Sequence, residues 1–230
     1  MEAAIRAVAA LEDDLRRGMY VFIRAARRPV TRDEAAAEVG ISRKLAAFHL
    51  DKLVAAGLLR ASYEPAAGLR KVGRAPKVYE PTEDDITITI PQRQHDVLAD
   101  ILLDAVLTES PGETAPEATM RVAATRGEQV GRAERGQVSV RGRLGAERAL
   151  TLTQAVLAKH GFEPTRQTST CVRLRNCPFH PMAEKAPELV CGVNHRFISG
   201  LLAGLRATSI EATLAPRTGE CCVELSPAQS

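Results

Sequence analysis

Residues 30–57 read VTRDEAAAEVGISRKLAAFHLDKLVAAG, and this stretch decides the fold of the N-terminal third. Thr31 is a good helix N-cap, and Glu34 three residues on completes a capping box. Small residues, Ala35 and Ala36, let the short helix pack closely before Gly40 stops it. Ser42 caps a second helix that runs to about Ala56, where Gly57 ends it. Its spacing places Leu45, Phe48 and Leu53 on an apolar stripe and leaves the other face polar. Two helices joined by a tight glycine turn form a helix-turn-helix pattern. The second helix would then present Ser42, Arg43, Lys44 and Ala47 to base edges in the major groove, with His49 and Lys52 placed for phosphates.

The flanks extend the pattern. Upstream, Ile5, Val8, Leu11, Leu15, Met19 and Phe22 fall near one face of a single helix over about residues 3–26, ended by Arg27, Arg28 and Pro29. Downstream, Leu58–Tyr63 is extended, Ala66–Gly68 is a turn, and Arg70–Tyr79 returns as a basic strand. The hairpin carries Arg70, Lys71, Arg74 and Lys77 at or near its tip, a wing suited to phosphate or minor-groove contact.

Charge distribution agrees. Residues 1–80 hold fifteen Lys and Arg against ten Asp and Glu, while residues 81–230 hold sixteen against eighteen. A basic third on a near-neutral remainder points to a polyanion partner for that third alone. With 230 residues, 45% apolar and 26% charged, the chain has material for a sizeable core and one to two domains. Aromatic content of 3% with no Trp argues against an aromatic sugar cleft or a base-stacking platform. No apolar run suits a membrane span, and the acids within the first eighteen residues do not suit a signal peptide, so a cytoplasmic protein is expected.

Beyond Pro81 the pattern predicts a short strand-like piece at Ile86, Ile88 and Ile90, then a helix over about 92–107 with Leu98, Ile101, Leu102 and Ala105 as its stripe. A proline-containing loop, an Arg-rich helix to about Arg135, a basic glycine-interrupted loop over 136–145 and a helix over about 146–160 follow. The remainder alternates: a strand at about 169–175, a helix at about 187–205, and strands at about 209–215 and 220–225 joined at Arg217-Thr218-Gly219. The expected fold is α+β: a winged helix-turn-helix at 1–82, a central helical dimerisation region at 83–145, and a C-terminal α/β sensor domain with a small antiparallel sheet at 146–230.

All five cysteines lie beyond residue 170, which in a reducing compartment favours metal or redox chemistry over structural disulfides. Cys177 ends a strand where the chain turns and bares backbone N–H groups. Cys191 sits near the start of a helix, whose dipole is expected to lower its pKa. Cys221 and Cys222 enter on the last strand, where period-two alternation favours Cys221 as ligand and Cys222 as bystander. His180 stands at Cys-x-x-His spacing from Cys177, and His195 follows Cys191 by one helical turn, a lesser candidate. Cys171 reads as a small buried hydrophobe. Three thiolates meeting from separate elements make a plausible metal or cluster site, and the Cys-Pro step is common among iron–sulfur ligands.

Two resemblances follow from these residues. "TRDEAAAEVGISRKLAAFHLDKLVAAGLL" followed by "GRAPKVYEPT" resembles the winged helix of ArsR/DeoR-type bacterial transcriptional regulators. That resemblance implies a homodimer on a palindromic double-stranded DNA operator, with half-sites about one helical turn (~34 Å) apart. By packing logic the dimer contact falls on the Leu98–Ala105 helix and the N-terminal helix. "CVRLRNCPFHPMAEKAPELVCGVNHRFISGLLAGL…GECCVEL" is similar to the sensor half of SufR-like repressors, which hold a 4Fe–4S or 2Fe–2S cluster. It implies Cys177, Cys191 and Cys221 or Cys222 as ligands. The cysteine spacings are slightly longer here, and the doubled cysteine is an addition. Zinc on three cysteines and one histidine, a metal-free thiol switch, and a small organic effector are the alternatives. No nucleotide-binding glycine loop or Ser/His/Asp set points to an enzyme.

Overall fold

The computed structural model describes residues 2–63, 75–83, 85–137 and 144–228. The architecture is α+β with two small antiparallel sheets. It divides into two compact units, Met1–Ile88 and Thr89–Ser230. The helices expected to form a separate region over 83–145 belong instead to the second unit, because their apolar faces share its core. Among the described residues no helix is long and apolar enough to cross a membrane.

In the first unit, α1 (Glu2–Ala10) and α2 (Asp14–Ala26) replace the single expected helix. The break lies at Leu11–Asp13, where the Asp13 carboxylate accepts the Arg16 N–H at 2.9 Å and caps α2 in an extended conformation. A short acidic side chain competes with helix propagation by this local bond, an effect that apolar periodicity does not register. Strand β1 (Val30–Thr31) leads into α3 (Arg32–Glu38) through the capping box expected at Thr31 and Glu34. Helix α4 (Arg43–Ala55) starts on Ser42. Gly57, at φ +76°, turns the chain into β2 (Leu59–Tyr63), and β3 (Lys77–Pro81) closes a sheet of order β1-β3-β2. Met19, Ile23, Val30, Ala35, Leu50, Leu53 and Tyr79 form its core.

The buried face of α4 is Ala46, His49, Leu50 and Leu53. Leu45 and Phe48, expected in the stripe, are exposed (41% and 54%), so the helix is rotated relative to the sequence reading. Small Ala46 lies against the core where α2 and α3 pack close, a fit that a bulkier Leu45 would not make.

The second unit opens irregularly. Residues 85–90 form no strand, and Ile90 is exposed. Helices α5 (His95–Leu107), α6 (Ala115–Gln137) and α7 (Ala146–Lys159) follow, then β4 (Pro164–Arg166), which the sequence reading did not anticipate, and β5 (Val172–Leu174). The short α8 (Met182–Lys185) precedes α9 (Pro187–Leu205), and β6 (Ile210–Leu214) and β7 (Val223–Pro227) form a hairpin. The sheet order is β4-β5-β7-β6, antiparallel throughout.

Ten of the nineteen residues of α9 are buried, which makes it the axis of this unit. It lies directly on α6 through two pairs of glycines spaced four apart. A Cβ at Gly127 would stand 1.9 Å from the Phe197 carbonyl oxygen, and one at Gly131 would stand 2.3 Å from that of Leu201. Reciprocally, Gly200 faces the Ala124 carbonyl and Gly204 that of Glu128, at 2.0 and 2.2 Å. Only residues without Cβ permit such backbone contact.

Candidate functional site

Helix α4 presents Ser42, Arg43 and Lys44 at its exposed N-terminal end, with Lys52 exposed two turns on and Ala47 half-buried. The Ser42 hydroxyl accepts the Leu45 N–H at 3.3 Å, and Arg43 Nε pairs with Asp33 Oδ1 at 3.0 Å while staying largely in solvent. Lys52 Nζ sits 5.5 Å from the centroid of the exposed Phe48 ring. His49 is not on this surface. It is buried with Nδ1 3.7 Å from Asp13 Oδ1, because its position on α4 turns toward the core. Lys77 is engaged within the sheet region: its Nζ donates to Asp51 Oδ1 at 2.9 Å, which raises its pKa. Arg70, Lys71 and Arg74 lie outside the described residues.

In the second unit, Cys177, Cys191, Cys221 and Cys222 line one cavity of about 470 Å³, together with His180. Three elements deliver the four thiols. Cys177 follows β5, and the buried Asn176 beside it donates from Nδ2 to the Gln92 and Gly161 carbonyls at 2.9 and 2.6 Å. Arg93 Nη1 donates to the Cys177 carbonyl at 3.0 Å and to Asn176 Oδ1. Cys191 comes from the second turn of α9. Cys221 and Cys222 precede β7: the Cys221 N–H donates to the Leu174 carbonyl and the Ala215 N–H to the Cys222 carbonyl, both at 2.8 Å. Because β7 begins only at Val223, strand alternation does not apply to the pair, and both thiols are buried on the same cavity.

Arg173 fixes that segment. Its side chain is wholly buried and donates from Nε to Glu220 Oε2 at 3.1 Å, and from Nη1 to Glu224 Oε2 at 2.9 Å and the Ala215 carbonyl at 3.0 Å. One guanidinium thus ties β5 to both sides of the turn that carries Cys221 and Cys222.

The thiols bias one another. Cys177 is drawn below the usual thiol range by hydrogen bonding from Cys221 and by the Phe179 and His180 N–H groups, against burial. The bared backbone N–H groups expected there are thus in use. Cys222 is drawn down to about 6 by Cys221 first, then by Cys191 and Asn194, again against burial. Cys221, the donor to both neighbours, is pushed up. Cys191 is pushed up to about 12, chiefly by burial, which reverses the expected effect of the helix dipole.

Cys171 is not among the cavity residues; burial and a hydrogen bond with Glu224 raise its pKa. His180 Nε2 stands 3.8 Å from Glu184 Oε1. His195 Nε2 is 2.9 Å from the Ala212 carbonyl, so its ring serves β6. Among the described residues, no group of three or more His, Cys, Asp or Glu is arranged to hold a single metal ion. The donor set has a different fit: iron–sulfur clusters take thiolates on separate irons, so their sulfurs need not converge on one atom. A single zinc would require these thiols to regroup.

The sequence reading missed Arg173 and Asn194. Arg173 stands between Val172 and Leu174 in a strand buried at all three positions, and an arginine in an apolar strand is a signal for a buried ion pair. Asn194 follows Cys191 by three residues, hence on the same helix face. Compared with known proteins, the chain matches no family model and no curated sequence.

Proposed function

We propose that the chain is a cytoplasmic DNA-binding transcriptional regulator, a repressor acting as a homodimer on a palindromic operator, whose second unit holds an iron–sulfur cluster that reports redox, nitric oxide or cluster status. The observation that carries the reading is the convergence of four cysteines, from three elements, on one cavity of a chain that also bears a capped helix pair whose second helix opens on Arg43 and Lys44. The order α2-β1-α3-α4-β2-β3, with sheet order β1-β3-β2, suits a winged helix with α4 as its recognition helix. Exposed Leu103, Val106 and Leu107 on α5, with Ile5 and Val8 on α1, are the surfaces a second copy would cover.

Cys177, Cys191, Cys221 and Cys222 would hold the cluster, with His180 at the cavity edge. The cluster would supply one-electron and oxidant-sensitive chemistry. The chain's part is to tie the end of β5, the start of α9 and the turn before β7 to one centre. Losing that tie frees three elements at once and alters the dimer that spaces the recognition helices. Cys177→Ser should abolish visible absorbance and change operator affinity while leaving the first unit folded. Equal affinity with and without the cluster would refute the sensing role.

One observation favours a second reading. The four thiols are free and line one cavity, an arrangement that suits disulfide formation without a metal. For each disulfide, one hydrogen peroxide takes two electrons and two protons from two thiols, its O–O bond breaking to give two waters as the S–S bond forms. Colourless protein whose free-thiol count falls by two or four on peroxide treatment would select it.

A further inference from the structure

We propose that Asn194 is a positioning residue that sets the redox behaviour of the thiol site through Cys221 and Cys222. The inference rests on the cluster reading above and deepens it. Asn194 lies on α9 three residues after Cys191 and has no exposed surface. Its Nδ2 donates to Cys221 Sγ at 2.9 Å and reaches Cys222 Sγ at 4.0 Å. Its Oδ1 is buried without a hydrogen-bond partner.

The neighbours of Asn194 on the buried face of α9 are Val190, Val193, Phe197 and Ile198. Leucine would fill such a position, and a half-satisfied carboxamide there weakens the core unless its N–H has a task. Among the described residues, the only acceptors its N–H groups meet are the two sulfurs. An N–H group donated to a ligand sulfur stabilises negative charge on it, and a reduced cluster places more negative charge on its sulfurs than an oxidised one. The bond therefore favours the reduced state and raises the potential.

The test uses the full chain, purified without oxygen, as wild type, Asn194→Leu and Asn194→Asp. Leucine keeps the branched outline and removes the donor, and aspartate keeps the shape and turns an acceptor toward the sulfurs. Each sample is titrated with dithionite, which supplies the electron, and followed by absorbance, with iron and sulfide measured alongside. At matched loading, both variants should titrate at a lower midpoint, by about tenfold in the oxidised-to-reduced ratio at fixed potential, or about 59 mV for one electron. Aspartate should lie lowest, and it decides the matter alone should the leucine variant not fold. Wild-type midpoints in both variants at matched loading would overturn the role of Asn194 and leave the cluster reading intact. Wild-type protein without iron and sulfide would overturn the cluster reading itself, and this inference with it.

Discussion

Arg173, with no exposed surface, donates from Nε to Oε2 of Glu220 at 3.1 Å, and Glu220 immediately precedes Cys221. The thiol cavity is therefore built on an ion pair as much as on its cysteines. Removing the cation leaves Glu220 and Glu224 partly buried and frees the turn. Arg173→Met should lower the stability of the second unit by about 3 kcal/mol, the low end for a broken buried pair because both carboxylates reach solvent. Denaturant unfolding measures this, and iron content should fall with it. Unchanged unfolding would mean that the turn is held by backbone bonds alone.

The α6–α9 contact predicts opposite effects for two glycines. Gly200→Ala puts a methyl group 2.0 Å from the Ala124 carbonyl oxygen, so the helices must part. The cost should be about 3 kcal/mol or more, above ordinary overpacking because backbone must move. Gly136, near the end of α6, has open space at its Cβ position, so Gly136→Ala should stabilise by about 0.5–1 kcal/mol. Thermal unfolding of the two variants reads the difference directly.

Acid should weaken the first unit through Glu34. Hydrogen bonding from Arg28, and then from Thr31, holds its carboxyl near 2, against 4.5 ordinarily. A depressed folded-state pKa stabilises fully above the ordinary value and is lost as pH falls from about 4.5 toward 2. Glu34→Ala should cost about 1 kcal/mol at neutral pH, typical of a lost cap, and clearly less at pH 2, where the wild-type carboxyl is itself being protonated. A difference between variant and wild type that persists unchanged at pH 2 would contradict this.

On DNA, the exposed and buried residues of α4 should separate cleanly. Lys52→Ala should weaken binding and reduce the salt slope by about one unit, as expected of a lost phosphate contact. His49→Ala should leave the slope unchanged and instead lower the stability of the first unit, since the ring is buried beside Asp13. A slope change for His49→Ala with normal stability would restore it to the interface.

What the sequence made legible was local chemistry. Thr31 with Glu34 and Ser42 start the helices where a hydroxyl meets the first free N–H groups, and Pro187 opens α9. The facing of α4 was not legible. Leu45 and Phe48 outweigh Ala46 and His49 in hydrophobicity, yet close packing selected the smaller set. The four thiols were legible as a group, but the shared facing of Cys221 and Cys222 depended on β7 starting at Val223, beyond both of them. Gly127, Gly131, Gly200 and Gly204 read as weak helix positions, and their role emerges only when the two helices meet.

The most direct test of the central claim is the spectrum and composition of the full chain purified without oxygen. The account predicts a brown protein with iron and sulfide in comparable amounts and little zinc, its colour lost in Cys177→Ser. Colourless protein lacking iron and sulfide would contradict it.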